Sequence, residues 1–168
     1  MIWVRPTRGT DIDRLEAVER SAATLFRALP DLAWIADDHV AGPDTHRTAV
    51  AQGLSWVAVD AEDQPVGFLI AAEADADLHI LELSVAAEHQ GRGAGRALMA
   101  AARHAAEARA NQALTLTTFS TVPWNAPFYA RLGYAALTFA ETPAYLRETL
   151  AAEAAHGLTG RVAMRLTL

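Results

Sequence analysis

The stretch His79 to Arg96, HILELSVAAEHQGRGAGR, constrains this chain more than any other. The apolar run Leu78 to Val85 reads as a buried strand, and the alanine-rich run ending near Ala108 reads as a helix. Between them stand glycines at 91, 93 and 95. Glycine takes positive φ at no steric cost, and it has no Cβ to hold a ligand away from the backbone. The helix adds unpaired N–H groups and the positive end of its dipole. Strand, glycine turn and helix in that order make an anion site, most often one for phosphate.

Spacing separates three kinds of phosphate loop. A dinucleotide fingerprint needs glycine at its first, third and sixth positions, but the sixth residue is Arg96 counting from Gly91 and Leu98 counting from Gly93. A nucleoside-triphosphate loop ends in Gly-Lys-Ser/Thr, and this chain contains no lysine. What remains is Gln90-Gly91-Arg92-Gly93-Ala94-Gly95 after a strand ending Leu83-Ser84-Val85. It resembles the GNAT superfamily of acyl-CoA-dependent N-acyltransferases, whose signature Gln/Arg-x-x-Gly-x-Gly/Ala is matched by Gln90, Gly93 and Gly95. A second stretch, Asn125 with Phe128-Tyr129-Ala130-Arg131-Leu132-Gly133-Tyr134, resembles that family's second signature. Its Asn stands two residues nearer the Phe-Tyr pair than the family pattern has it. The resemblance is strongest over residues 54–139.

Composition narrows the partners. With 168 residues, 52% of them hydrophobic, the chain suits one domain, residues 1–168, able to bury a core. A net charge of −6 without a basic stripe argues against a nucleic-acid partner and favours a cationic substrate. No run approaches the roughly 18 apolar residues of a membrane span, and the start has no signal-peptide pattern. The expectation is a soluble, cytoplasmic protein without a membrane partner. Cysteine is absent, which excludes disulfides, thiolate zinc sites and a cysteine nucleophile. Histidines at 39, 46, 79, 89, 104 and 156 show no metal-ligand spacing, so no metal is expected.

The periodicities predict strands at 2–5, 54–59, 66–72, 78–85, 114–119, 134–139 and 161–168. Helices are predicted at 10–26 (with Thr10 as N-cap), 44–51, 93–109, 125–133 and 143–156. Residues 27–43 read as irregular, and Asp75-Ala76-Asp77 as a turn. The strand at 114–119 follows a helix and is placed parallel to the strand at 78–85. The fold class implied by the resemblance is α/β (α+β), a GNAT-like mixed, mostly antiparallel sheet of about seven strands. That sheet is splayed between strands four and five and has helices on both faces.

The resemblance also implies roles. Acetyl-CoA is the co-substrate, its pantetheine arm pairing with Leu83, Ser84 and Val85. The pyrophosphate lies on the loop Gln90, Gly91, Arg92, Gly93, Ala94, Gly95 and Arg96, and Asn125 and Phe128 flank the arm. An aliphatic amine, with a pKa of roughly 10, must lose a proton before it attacks a thioester. Glu82 on the fourth strand is the first candidate for that base and His79 the second, on opposite parities of the strand. Tyr129 occupies the family's general-acid position. The acceptor is read as a small-molecule primary amine. The alternatives are a protein or peptide N-acetyltransferase and a catalytically silent acyl-CoA sensor, against which Tyr129 and Glu82 speak. The oligomeric state, a homodimer included, stays open.

Overall fold

The computed structural model describes residues Met1–Leu168. Its seven strands are β1 (Trp3–Pro6), β2 (Ser55–Val59), β3 (Pro65–Ala74), β4 (Asp77–Val85), β5 (Ala113–Phe119), β6 (Ala135–Ala136) and β7 (Arg161–Thr167). They form one sheet in the order β1-β2-β3-β4-β5-β7-β6. The pairs β1/β2, β2/β3, β5/β7 and β6/β7 are antiparallel, and β4/β5 is parallel. The five α-helices are α1 (Ile12–Ala23), α2 (Pro43–Ala51), α3 (Ala94–Ala108), α4 (Ala126–Arg131) and α5 (Ala144–Ala155). This is the expected mixed sheet with one parallel pair. Its β4 and β5 are in register only at Leu78↔Leu114 and His79↔Thr115, although β4 runs on to Val85 and β5 to Phe119.

Three local expectations are corrected. The helix predicted at 10–26 ends at Ala23, and a 3-10 turn follows at 24–28; within the stretch read as irregular, 30–37 form a second 3-10 turn that Pro30 opens. Near the first helix it is Asp11, not Thr10, that ties the N-terminus down. Its carboxylate accepts from the Arg8 N–H at 2.7 Å and from the Arg5 guanidinium at 2.8 Å. Finally, β6 is only two residues long. After it Glu141 accepts from both the N–H and the hydroxyl of Thr138, which bends the chain away from the ladder.

The chain divides into two compact units, Met1–Ala72 with Ile80–Ala105, and Glu73–His79 with Ala106–Leu168. In the first, strand alternation turns Val57, Val59, Phe68 and Ile70 to one face, where Leu15, Val18 and Ala49 of α1 and α2 close on them. Full burial of each such side chain is worth about 1.5–3 kcal/mol. The opposite face meets α3. A Cβ at Gly67 would stand 3.1 Å from the Ser84 carbonyl and 3.4 Å from Leu98, so glycine there lets the helix close on the sheet. Leu98, Ala102 and Ala106, four residues apart, are fully buried along α3. In the second unit, β5 is paired with β7 along its whole length, from Ala113↔Thr167 to Phe119↔Arg161.

One core group is out of place by chemistry. His46 of α2 is 1% exposed and packs edge-on against Phe68 at 5.0 Å between ring centroids. Neither of its ring nitrogens has a protein partner. Burial pushes its pKa down. A group with a depressed folded pKa contributes fully above its unfolded value, roughly 6.5, and costs stability as pH falls below it. His46→Leu is therefore expected to flatten the fall in Tm between pH 7.5 and 5.5, by a few degrees at the acid end. Parallel melts of both proteins check this; an unchanged slope removes His46 from the account.

Candidate acetyl-transfer site

The glycine loop has the predicted shape. Gly91 and Gly93 have φ of +73° and +89°, a region that costs other residues strain. The Ala97 N–H donates to the Gly93 carbonyl at 3.0 Å, so Gly93 stands at the helix entry and the N–H groups of Ala94, Gly95 and Arg96 fall in the first turn of α3. A Cβ on Gly91 or Gly93 would meet nothing within 4 Å. No protein atom requires glycine there. The requirement is the backbone angle, together with free approach to the loop, which is what a phosphate-sized group needs. Arg92 and Arg96 are exposed beside it, while Ala94 is buried. The Gln90 side chain turns back, its amide donating to the Val85 carbonyl at 2.9 Å, and so fastens the loop to the end of β4. Leu83 and Val85 are half-buried and Ser84 is buried.

The same unit holds Glu82. The Ser84 hydroxyl donates to its carboxylate at 2.9 Å, both side chains lying on one face of β4. Sequence reasoning missed its neighbour, Glu19 of α1, which accepts from the Ala41 N–H at 2.9 Å. Burial, and then the charge of Glu82, hold the Glu19 carboxyl well above the ordinary carboxylate range. A helix residue of alternating charge reads as solvated surface, and no local signal announces a partner on β4. Two acids this close to one another favour a cation beside them.

The second unit carries the remaining predicted residues. Asn125 precedes α4, its carbonyl accepting the N–H groups of Phe128 and Tyr129 at 2.8 and 3.2 Å. Asn125, Phe128 and Tyr129 are half-buried. The Tyr129 ring packs edge-on against Phe128 at 5.1 Å and Tyr134 at 6.1 Å, which fixes its direction. His79 lies in this unit and is 7% exposed, its Nδ1 3.0 Å from the Thr115 hydroxyl. Burial pushes its pKa down, against the weaker pull of Glu153 and Asp77. Asp77, taken from the sequence as a turn residue, is instead the first residue of β4, 4% exposed and paired with Arg165 at 2.9 Å. The turn belongs to Asp75, at φ +52°. No group of His, Cys, Asp and Glu gathers that could hold a metal ion.

A sequence-family model, the acetyltransferase (GNAT) domain, matches residues 51–136, which include the glycine loop and the Asn125–Tyr134 stretch. The chain belongs to the GNAT acetyltransferase family. Solved structures agree on the fold. PaiA N-acetyltransferase from Thermoplasma acidophilum, in complex with coenzyme A, superposes with a TM-score of 0.72 at 15% identity, covering 100% of this chain and 99% of that one. The ribosomal-protein-S18-alanine N-acetyltransferase of Escherichia coli gives 0.68 at 17%, covering 99% and 94%. N-acetylglutamate synthase from Neisseria gonorrhoeae, complexed with coenzyme A and N-acetyl-glutamate, gives 0.73 at 15%, covering 100% of this chain and 35% of that one. This GNAT chain thus shares its architecture with proteins whose acceptors differ widely. No helix in it is long and apolar enough to cross a membrane.

Proposed function

We propose that this GNAT chain acts as one domain in the cytoplasm, moving an acetyl group from acetyl-CoA directly to the primary amine of a small molecule. The observation that carries the reading is the open, positive-φ glycine loop at the entry to α3. Its N–H groups and the helix dipole suit a pyrophosphate, with Arg92 and Arg96 adding charge. Leu83, Ser84 and Val85 supply strand backbone for the pantetheine arm, and Asn125 and Phe128 flank it.

Bound acetyl-CoA supplies an acetyl group already activated as a thioester. The residues of the chain do the rest by moving protons and holding charge. Glu82, with Glu19 beside it, draws in the ammonium group and takes a proton from it, which frees the nitrogen lone pair to bond to the acetyl carbon. A backbone N–H near Val85 holds the acetyl oxygen as it gains negative charge. Tyr129 delivers its proton to the sulfur as the carbon–sulfur bond breaks, since a thiol is a better leaving group than a thiolate.

The carboxylate pair and the net charge of −6 favour a compact cationic acceptor. A panel of small mono- and diamines and of peptides with free N-termini, each incubated with acetyl-CoA while free thiol is followed, tests this. Small amines are expected to release thiol in step with the N-acetyl product. Peptides outpacing every small amine would overturn the acceptor class; no thiol release with any amine would overturn the transfer itself.

A further inference from the structure

Helix α5 brings a tyrosine into a buried chain of hydrogen bonds that the mechanism above leaves unused. His79 Nδ1 lies 3.0 Å from the Thr115 hydroxyl, which lies 2.8 Å from the Tyr145 hydroxyl, which donates to Asp77 Oδ2 at 3.1 Å. Arg165 donates to the same carboxylate oxygen at 2.9 Å. His79, Thr115 and Asp77 are all buried. The Tyr145 ring also packs edge-on against the imidazole, with centroids 5.8 Å apart.

The direction of this chain follows from the number of protons available. Asp77, ion-paired with Arg165, only accepts. Tyr145 has one hydroxyl proton, kept on the oxygen because burial pushes its pKa up to about 12, and it is given to Asp77. Thr115 must then donate its single proton to the Tyr145 oxygen. The Thr115 oxygen is left as an acceptor, so His79 Nδ1 has to be the donor. Every link points the same way, toward the carboxylate. The second nitrogen, Nε2, then carries the lone pair.

The chemistry has a place for such a group. An ammonium nitrogen that becomes an amide nitrogen loses two protons, one before attack and one after the carbon–nitrogen bond has formed. Glu82 accounts for the first. We propose that Asp77, Tyr145 and Thr115 are positioning residues that hold His79 as its Nδ1–H tautomer, making Nε2 the acceptor of the second proton. This inference rests on the acetyl-transfer reading. The Nε2 lone pair takes the proton from the acetylated nitrogen, and the resulting imidazolium is steadied through the chain by the Asp77 carboxylate. Tyr129 has by then given its proton to sulfur. Of the two protons on Glu82 and His79, one restores Tyr129 and one leaves to water, so the balance closes with one proton released per amide. His79 also marks the last position at which β4 and β5 are in register.

Other charged groups around the chain are already engaged. Glu153 of α5 accepts from Thr117 and is paired with Arg161 of β7 at 2.9 Å, and its field favours the imidazolium. Below its depressed pKa, His79 would carry a proton on both nitrogens and stop accepting. That gives the rate an acid limb belonging to His79.

Imidazole nitrogen-15 spectra of the full chain at pH 7.5 test the assignment without any turnover. The wild type is expected to show His79 Nδ1 protonated and Nε2 unprotonated. In Tyr145→Phe the Thr115 hydroxyl loses its acceptor and turns to Nδ1, so the tautomer should flip to Nε2–H. With the flip, kcat should fall roughly 10-fold or more while KM for acetyl-CoA holds, on the scale of general-base effects. Thr115→Ser, which keeps the hydroxyl, should retain both tautomer and rate; Thr115→Val should lose both, which covers a Tyr145→Phe that folds poorly. An Nε2–H tautomer in the wild type, or a flip in Tyr145→Phe with no change in kcat, overturns the proposal while leaving acetyl transfer intact. A wild type that acetylates no amine fails the underlying reading instead, and the nitrogen spectra still decide the direction of the chain.

Discussion

Tyr129→Phe is expected to lower kcat by about 10²-fold or more while leaving acetyl-CoA affinity nearly unchanged. The ring is held by Phe128 and Tyr134, and phenylalanine keeps those edge contacts. Only the hydroxyl is lost, and with it the proton for the departing sulfur. Because a thiolate leaves without help once the pKa of its thiol is low enough, an acetyl-donor thioester with a more acidic thiol should recover much of the lost rate. Steady-state kinetics with both thioesters would decide. Equal losses for the two remove Tyr129 from proton transfer, and an acetylated enzyme accumulating without amine would contradict direct transfer.

The second large effect is expected in Glu82→Gln. Glutamine keeps the shape and an acceptor oxygen for the Ser84 hydroxyl, but neither attracts an ammonium nor takes its proton. Loss of kcat/KM by roughly 10²–10⁴-fold follows on the scale of a general base. Stability should move the other way. The folded-state pKa of Glu19 lies above its unfolded value, first through burial and then through the charge of Glu82. A raised pKa stabilises the fold at acid pH, below the unfolded value, and that contribution is lost as pH rises through the folded value. With the Glu82 charge gone the folded value drops and less is lost. Glu82→Gln should therefore be more stable than the wild type above neutral pH while far less active. Melting curves from pH 5 to pH 9 beside the rates would reveal a merely structural Glu82, because activity and stability would then fall together.

The sequence made the local chemistry readable and left the distant partners hidden. Glycines 91 and 93 declared a loop because only backbone angle and access were at stake, and both belong to the residues themselves. The parallel placement of β5 followed from a helix of sufficient length between two strands. Asp75-Ala76-Asp77 has the composition of a turn, which hides Asp77 as a strand residue whose partner Arg165 lies 88 residues further on. Tyr145 falls inside the helix predicted at 143–156, while its hydroxyl partners come from β4 and β5. Glu19 looked like surface for the same reason. Two-residue β6 fell short of its prediction because Thr138 and Glu141 close a polar turn where apolar residues had suggested continued pairing.

The central claim is that the loop at the entry to α3 holds acetyl-CoA, and calorimetric titration of acetyl-CoA into the wild type and Gly93→Val tests it most directly. Gly93 sits at φ +89°, where a β-branched residue is strained by about 1–3 kcal/mol, and its new side chain would occupy the open space over the loop. One site per chain is expected in the wild type, and at least a roughly 10-fold loss of affinity in a Gly93→Val protein with an unchanged circular dichroism spectrum. Equal affinity in the two proteins would put the co-substrate elsewhere and contradict the account.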